Sequence, residues 1–585
     1  MSLNPLTPEE KAIGKDNFYA ALGSPLTRRE FIGGSLAAGA ISGVGLGSYY
    51  FGYGTSVDNP VRIGIIGTGD EGNVLIGAIN PAYVQVVAIA DIRPFNIHRA
   101  FHGDQSSPAI QKIRTGLMTK YDWKTEDEAH KHVTRYEGNY EELLNDPAVE
   151  GVVIALPLHL HHEAAIKAMK AGKHVLTEKL MGHSVGKCKS MGRVAHQEKK
   201  LLATGHQRHY SVLYDNAVST IRAGLIGKVH HIRAQWHRQK DTWSPPLPAK
   251  IHEERLEFVS KLAEAEEALF KAKGSDKEIA KLVKRVEDVR KKLDASSKQW
   301  LLIEKDLAVK AKDYGYLDKS NGGSPFCQSP EEELFRWRLW DRTGGGLMAE
   351  LGSHQLDASG IFISASHPLD KEGHSQKIRP LVVSAVGGRH LYGRNRDCED
   401  HVYCTYEYPA ADYDPSPGTE MNEKRIAVTY SSINGNGYGG YGEVVMGETG
   451  TLILENEQEV MLLQAANAVT NLEVKKDDKA GPLLNTTSSA PPEAAVAKKA
   501  LDGPVSKGYT EEIEHWAWCI RNFKADDYAN TPQPKCKPEV AIADAIIALT
   551  TNIAIKERRQ IEFKPEWYDI NHDDTPDGVA PEVKV

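Results

Sequence analysis

Three glycines and one carboxylate have the spacing that most clearly indicates chemistry in this chain. Gly67, Gly69 and Gly72 follow the apolar run at residues 61–66, and Asp91 ends the next apolar run. In a strand–turn–helix unit, the first glycine makes the tight turn, the second lets the backbone approach a diphosphate and the third allows close helix packing. The helix N-terminus supplies free N–H groups to the phosphates. The pattern therefore predicts a dinucleotide site.

Asp91 indicates which dinucleotide this site takes. It falls about 20 residues beyond the glycines, where a carboxylate accepts hydrogen bonds from both ribose hydroxyls. The same carboxylate would repel a 2′-phosphate. The sequence therefore favours NAD over NADP as the cofactor.

The elements around the glycine turn predict a doubly wound parallel sheet, an α/β Rossmann domain over residues 59–208. Apolar strand candidates alternate with helical stretches at 163–171 and 185–199, which would cover the sheet. The strand candidates are residues 61–66, 84–90, 151–156, 174–177 and 201–204.

A second, α+β domain is predicted over residues 209–565, with a mainly antiparallel, open-faced sheet. In the segment 229–238, Ile232, Ala234 and Trp236 alternate with polar residues that include His237, so one face should be wet. Further strands are expected at 381–386, 400–408, 425–431 and 450–454, and packing helices at 510–522 and 539–557.

An inserted helical hairpin is predicted at residues 248–312, because two apolar stripes at helical spacing flank Gly274-Ser275. A lid or docking arm and a solvated insertion both fit this pattern. Residues 475–506 are expected to form a flexible loop, and the tail at 566–585 to be poorly ordered.

Composition excludes several classes of function. The net charge of −8 over 585 residues offers no basic surface for nucleic acid. The six cysteines contain no Cys-x-x-Cys pair, so they indicate neither a zinc site nor a disulfide framework. His159, His161 and His162 lack a carboxylate or cysteine at ligand spacing, and we predict no metal.

Residues 1–58 have the character of an export signal and linker. Arg28-Arg29 precedes an uncharged run at residues 31–51, as in the twin-arginine signals that route folded proteins across bacterial membranes. We therefore expect the twin-arginine machinery as a partner, and a location in the periplasm or on the outer face of the membrane. The run is also long enough to span a bilayer, so cleavage and retention as an anchor both remain open.

Two further motifs contain a candidate catalytic lysine and a candidate catalytic histidine. Glu178-Lys179-Leu180 ends a strand, and residues 344–357 read Gly-Gly-Gly-Leu-Met-Ala-Glu-Leu-Gly-Ser-His-Gln-Leu-Asp. They resemble the Glu-Lys-Pro and Asp-x-Gly-x-His-x-x-Asp hallmarks of the glucose-fructose oxidoreductase and inositol dehydrogenase family (Gfo/Idh/MocA). Leu180 replaces the proline, and Glu350 replaces the first aspartate.

The resemblance implies roles for particular residues. Lys179 would polarise a substrate hydroxyl beside the nicotinamide, and His354 would take or return its proton, with Glu350 one helical turn before it. Pro157, His161 and Glu178 would lie on the cofactor side, and Arg208, His237 and Asp357 on the substrate side. For Arg208, structural pairing is the alternative.

The sequence as a whole predicts an exported NAD-dependent oxidoreductase that acts on a hydroxyl of a sugar, sugar acid or glycoside, through a tightly bound nicotinamide. We expect a homo-oligomer. One alternative is a hydrolase that oxidises transiently and then eliminates. Another is a non-catalytic, membrane-tethered carbohydrate-binding or assembly protein, because a fold alone does not establish a function.

Overall fold

The computed structural model describes residues 6–22, 46–240, 243–319, 326, 328–464, 474–477, 481–484 and 507–585. Its strands are β1 Val61–Ile66, β2 Val84–Asp91, β3 Thr134–Glu137, β4 Gly151–Ile154, β5 His174–Glu178, β6 Leu202–Gly205, β7 Val229–Gln239, β8 Val382–Gly388, β9 His401–Pro409, β10 Arg425–Gly435, β11 Tyr441–Gly447, β12 Gly450–Glu455, β13 Glu459–Gln464, β14 Val474–Asp477, β15 Gly481–Leu484 and β16 Ile561–Glu562.

The first sheet is the parallel Rossmann sheet that the sequence predicts. Its strand order is β3-β2-β1-β4-β5-β6, so the order reverses between β1 and β4, where such sheets bind ligands. The strands β4, β5 and β6 are buried throughout, as expected when helices cover both faces. The edge strand β3 was not predicted, because its four residues are mostly polar and exposed.

The second sheet has eight strands in the order β13-β12-β11-β7-β10-β9-β8-β16. Only the β7–β10 pair is parallel among them, so the predicted mainly antiparallel sheet is confirmed. Burial alternates along β9 and β10. The covered face packs on helices that include Ser353–Ala365 and Pro538–Glu557.

Helices fill the space around the two sheets. The longer ones are Pro8–Leu22, Asp70–Ala78, Pro94–His102, His161–Lys170, Val185–Gln197, Val212–Arg222, Pro248–Phe270, Asp276–Ile303, Ser353–Ala365, Tyr509–Arg521 and Pro538–Glu557. The shorter ones are Leu46–Phe51, Pro108–Ile113, Leu117–Lys120, Glu126–His132, Tyr140–Asn145, Pro330–Phe335 and Asp341–Gly344. Among the described residues, one helix, Pro538–Glu557, is long and apolar enough to cross a bilayer, and most of it is buried within the protein.

The insertion is the predicted hairpin. Helices Pro248–Phe270 and Asp276–Ile303 pack on each other, with Ala265 and Val286 buried between them. Ser275 and Glu278 form a capping box that starts the second helix. The chain then passes through two short 3₁₀ turns, Glu304–Ala308 and Ala311–Tyr314, beside the first domain.

The N-terminal helix Pro8–Leu22 lies against β13 of the second sheet. Phe18 is buried, and Lys15 pairs with Glu459 at 2.6 Å. The twin-arginine pair and most of the apolar run lie outside the described residues.

The C-terminal tail differs from the prediction of poor order. The Lys189 ammonium donates to the carbonyl oxygens of Glu566, His572 and Asp574 at 2.6–3.0 Å. Arg193 donates to Ile570 O and to a carbonyl near the chain end. Backbone carbonyls therefore fix the tail on the helix Val185–Gln197. Because every residue has a backbone carbonyl, the sequence does not show which ones accept these hydrogen bonds.

Candidate active site

The glycine turn has the geometry that its spacing predicts. Gly67 has φ of +88°, and a Cβ there would lie 2.4 Å from Ala155 O. A Cβ on Gly72 would lie 2.2 Å from Gly67 O, whereas one on Gly69 would meet nothing nearer than 3.8 Å. The space beside Gly69 is therefore open to a ligand, and the turn fits a dinucleotide's diphosphate.

Asp91 ends β2 directly beside this turn. Its carboxylate accepts the Thr68 N–H at 2.7 Å and the Arg93 N–H at 2.8 Å. The side chain is therefore fixed at the position from which a carboxylate reaches a ribose.

Asp70 and Glu71 lie in the first turn of the helix Asp70–Ala78, beside the glycine turn. A carboxylate there would repel a diphosphate. Burial raises the pKa of Asp70, but the cations of Arg99 and Arg114 lower it to about 2. Arg99 donates a hydrogen bond to this carboxylate at 2.8 Å. Burial raises the pKa of Glu71, which favours its neutral form, and Tyr509 hydrogen-bonds to it. Charge pairing and neutralisation thus reduce the repulsion.

Lys179 joins the two domains. It follows β5, and its ammonium donates to the Glu350 carbonyl oxygen at 2.8 Å and lies 3.5 Å from the Glu350 carboxylate. The lysine of the first domain therefore stands beside the helical segment of the second domain that carries His354.

Glu350 does not act as a partner of His354, which was one of its predicted roles. It lies in a π-helical turn, Met348–Gly352, and its carboxylate accepts from Arg338 at 2.8 Å. Despite burial, Lys179 and Arg338 hold its pKa well below the usual range, so it is ionised. Arg338 was missed by the sequence analysis, because nothing in its local pattern shows that it reaches Glu350.

His354 is 7% exposed and lies in the first turn of the helix Ser353–Ala365. Its ring centroid lies 5.4 Å from that of Trp236. Burial lowers the pKa of His354 well below its usual value, and the cations of Lys179 and Arg208 add to this effect. The imidazole is therefore neutral at neutral pH and can accept a proton.

His237 was predicted on the substrate side, but the structure places Trp236 beside His354. Alternation correctly placed them on opposite faces of β7, but the helix with His354 packs on the face that carries Trp236. His237 instead contacts Tyr438 O at 2.9 Å and Ser431 Oγ at 3.0 Å.

Two other predicted substrate-side residues are engaged within the protein. Asp357 accepts from His209 at 2.9 Å and from Lys377 at 2.8 Å. Arg208 lies 2.6 Å from Glu457, the pairing that was its alternative. Both side chains are buried beside His354, so they shape its surroundings.

A buried group of His206, Asp357 and Asp544 has its ligand-type atoms within 4.8 Å of one another. The Lys377 ammonium, however, lies 2.8 Å from both carboxylates. Lys377 thus supplies the positive charge that a metal ion would otherwise bring to these two carboxylates.

The predicted cofactor-side residues mainly support Lys179. The His161 ring nitrogens lie 2.8 Å from Leu156 O and Leu180 O, so His161 holds these loops together. Glu178 accepts the Lys179 N–H at 3.1 Å, and burial and Glu71 raise its pKa to about 8. Pro157 precedes the 3₁₀ turn Leu158–Leu160 at the end of β4.

The fold and this site define a nucleotide-binding Rossmann domain coupled to a second domain with a mainly antiparallel sheet. A family model described as GFO_IDH_MocA, an oxidoreductase family with an NAD-binding Rossmann fold, matches residues 61–206. This match supports the predicted family for the first domain, and NAD as its cofactor.

Curated relatives match part of the chain. A 1-carboxy-3-chloro-3,4-dihydroxycyclohexa-1,5-diene dehydrogenase of Comamonas testosteroni is 28% identical over 30% of this chain and 37% of the relative. An inositol 2-dehydrogenase/D-chiro-inositol 3-dehydrogenase of Lactiplantibacillus plantarum is 31% identical over 28% of this chain and 41% of the relative. The chain thus spans well under half of these relatives.

Two solved structures are similar to most of this chain. A levoglucosan dehydrogenase in complex with NADH has a TM-score of 0.48 and 13% identity, covering 86% of this chain and 100% of that chain. The aldose-aldose oxidoreductase from Caulobacter crescentus has a TM-score of 0.47 and 13% identity, covering 86% and 100%.

Proposed function

We propose that this protein is an exported NAD-dependent oxidoreductase of the Gfo/Idh/MocA family that oxidises a hydroxyl of a sugar, sugar acid or glycoside. The main support for the proposal is that Lys179 contacts the segment that leads to His354, beside an open glycine turn. The first domain supplies the cation, and the second supplies a neutral imidazole. This pair is suited to taking a carbinol proton.

The chain's own groups divide the work on the substrate. The Lys179 ammonium donates a hydrogen bond to the hydroxyl oxygen and stabilises the negative charge that develops there. His354 accepts the hydroxyl proton as the C–H bond breaks. Trp236 lies next to the imidazole, and Tyr441 stacks on its ring at 4.6 Å, so both aromatic side chains belong to the wall of the site. Bound nicotinamide supplies the acceptor for the hydride.

The test is to purify the protein, analyse its bound small molecules by mass spectrometry, and assay a panel of polyols, aldoses and glycosides. We expect bound NAD and a keto product from at least one substrate. Release of an aglycone without net reduction of NAD would instead identify a hydrolase. If the protein holds no NAD and turns over no substrate, the carbohydrate-binding alternative is favoured and the proposal is contradicted.

The contacts of the N-terminal helix bear on the export proposal. Phe18 is buried near β13, and Tyr53 donates to Glu514 at 2.6 Å in the same folded body. A single membrane crossing between these two residues would separate them. We propose that the exported protein keeps its N-terminal segment and does not use it as a single-span anchor.

Intact-mass spectrometry and carbonate extraction of bacterial membranes test this proposal. We expect a mature chain that retains residues 8–22 and that carbonate releases from membranes. An exported form that starts after residue 40, or one that resists carbonate, would contradict it. Replacing Arg28-Arg29 with Lys-Lys should leave the protein in the cytoplasm, and an unchanged location would contradict export by this pathway.

The uncovered face of the second sheet supports the proposed homo-oligomer. Val386 is 65% exposed, and its antiparallel partner Tyr403 is 38% exposed. Light scattering would measure the mass in solution, and a monomer at micromolar concentration would contradict this part of the proposal.

A further inference from the structure

The segment that follows the helical hairpin, residues 304–316, lies over the carboxyl end of β2. We call it the strap. It belongs to the insertion in the second domain by sequence, yet it contacts the helix Pro94–His102 of the first domain. The sequence left the role of this insertion undecided.

The strap is fixed by a buried charge pair. Asp306 accepts from Arg93 Nε at 2.9 Å and from the Phe95 N–H at 3.0 Å. The Asp306 side chain is fully buried, and the Arg93 guanidinium also stacks on Phe335 at 4.3 Å. Removing one partner of such a pair is costly, because it leaves the other charge buried and unpaired.

An apolar cluster fixes the other end of the strap. Ala311 and Tyr316 are buried with Leu334, against Ile92 of the first domain. Arg342 donates to Gly315 O at 3.2 Å. The strap is therefore held at both ends.

Between the strap and the first domain is a cavity of about 280 Å³. Asp91, Ile97 and Glu137 line it on one side, and Lys305, Val309 and Tyr314 line it on the other. Its volume is near the lower limit for small-molecule sites, about 300 Å³, so it suits part of a dinucleotide. Asp91, the predicted ribose ligand, is in its wall.

We propose that the strap closes the adenosine half of the site, so that NAD is retained between turnovers. This inference rests on the proposed function. The glycine turn positions the diphosphate, Asp91 the ribose, and the cavity beyond Asp91 takes the base, with the strap as its outer wall. Release of the cofactor then requires breaking the Asp306 contacts, which slows it. Retention matters outside the cytoplasm, where free NAD is scarce.

The test measures release of the cofactor directly. The full-length protein is loaded with NADH, excess NAD is added, and the decay of bound NADH fluorescence gives the dissociation rate. Asp306→Asn removes the buried negative charge and should speed release at least tenfold. Asp288→Asn makes the same chemical change on an exposed position of the hairpin and should leave the rate unchanged.

A second variant keeps the test informative if Asp306→Asn does not fold. Tyr314→Ala removes part of the cavity wall without leaving a buried charge, and it should also speed release, with the circular dichroism spectrum unchanged. If both variants release NADH at the wild-type rate, the strap does not retain the cofactor and the inference is wrong. If wild-type protein binds no NADH, the proposed function itself is contradicted, and the inference with it.

Discussion

Replacing His354 with alanine is expected to lower kcat by about 10²- to 10⁴-fold, the usual contribution of a general base. NADH binding should change little, because the imidazole stands on the second domain and serves the substrate. His354→Asn should be equally slow, since an amide cannot accept the proton. The measurement is the steady-state rate with a substrate found in the panel, together with NADH titration.

A matched control is available on the same sheet. His237→Ala removes an imidazole on the opposite face of β7, so its turnover should remain near wild type. Equal rates for wild type and His354→Ala would refute the assignment of the base.

The pH profile tests the same assignment. Because burial and nearby cations lower the pKa of His354, its neutral, proton-accepting form persists below pH 6.5. Oxidation should therefore be independent of His354 protonation at neutral pH and should fall only under acid conditions. This acid limb should disappear in His354→Ala.

Replacing Lys179 with methionine is expected to reduce kcat/KM by about 10²- to 10³-fold, as removal of one preorganised donor typically does. Methionine keeps much of the side chain's length but has no charge. Lys179→Arg should recover part of the rate, since it restores a cation near Glu350. Lys170→Met, on an exposed helix end, is the control and should behave as wild type.

The lysine variant also has a readout that a folding defect would not produce. Lys179 is one of the cations that lower the pKa of His354. Without it the imidazolium is less disfavoured, so the acid limb of the pH profile should move to higher pH in Lys179→Met. A limb that stays in place would show that the two groups do not share a site.

The features that the sequence predicts well are local or periodic. Gly67, Gly72 and Asp91 could be assigned because a tight turn, a close backbone approach and a strand end each require a particular residue type at fixed spacing. The hairpin could be assigned from the helical spacing of its apolar residues, and β7 from the alternation of apolar and polar residues along it.

The features that it missed depend on packing between distant segments. Alternation separates Trp236 from His237, but only the position of the helix Ser353–Ala365 tells which one faces the site. Arg338 and Asp306 look like ordinary surface charges, and their partners lie on other elements. His161 was predicted on the cofactor side, because its contacts with two carbonyl oxygens cannot be read from residue types.

The helix Tyr509–Arg521 has a consequence for how the protein is made. Arg521 pairs with Glu150 at 2.8 Å, and Trp516 packs against Gly151 at the start of β4. The nucleotide-binding domain therefore lacks part of its packing until the ribosome has translated more than 300 further residues. Co-translational folding can begin this domain, but its completion has to wait until the helix Tyr509–Arg521 has left the ribosome.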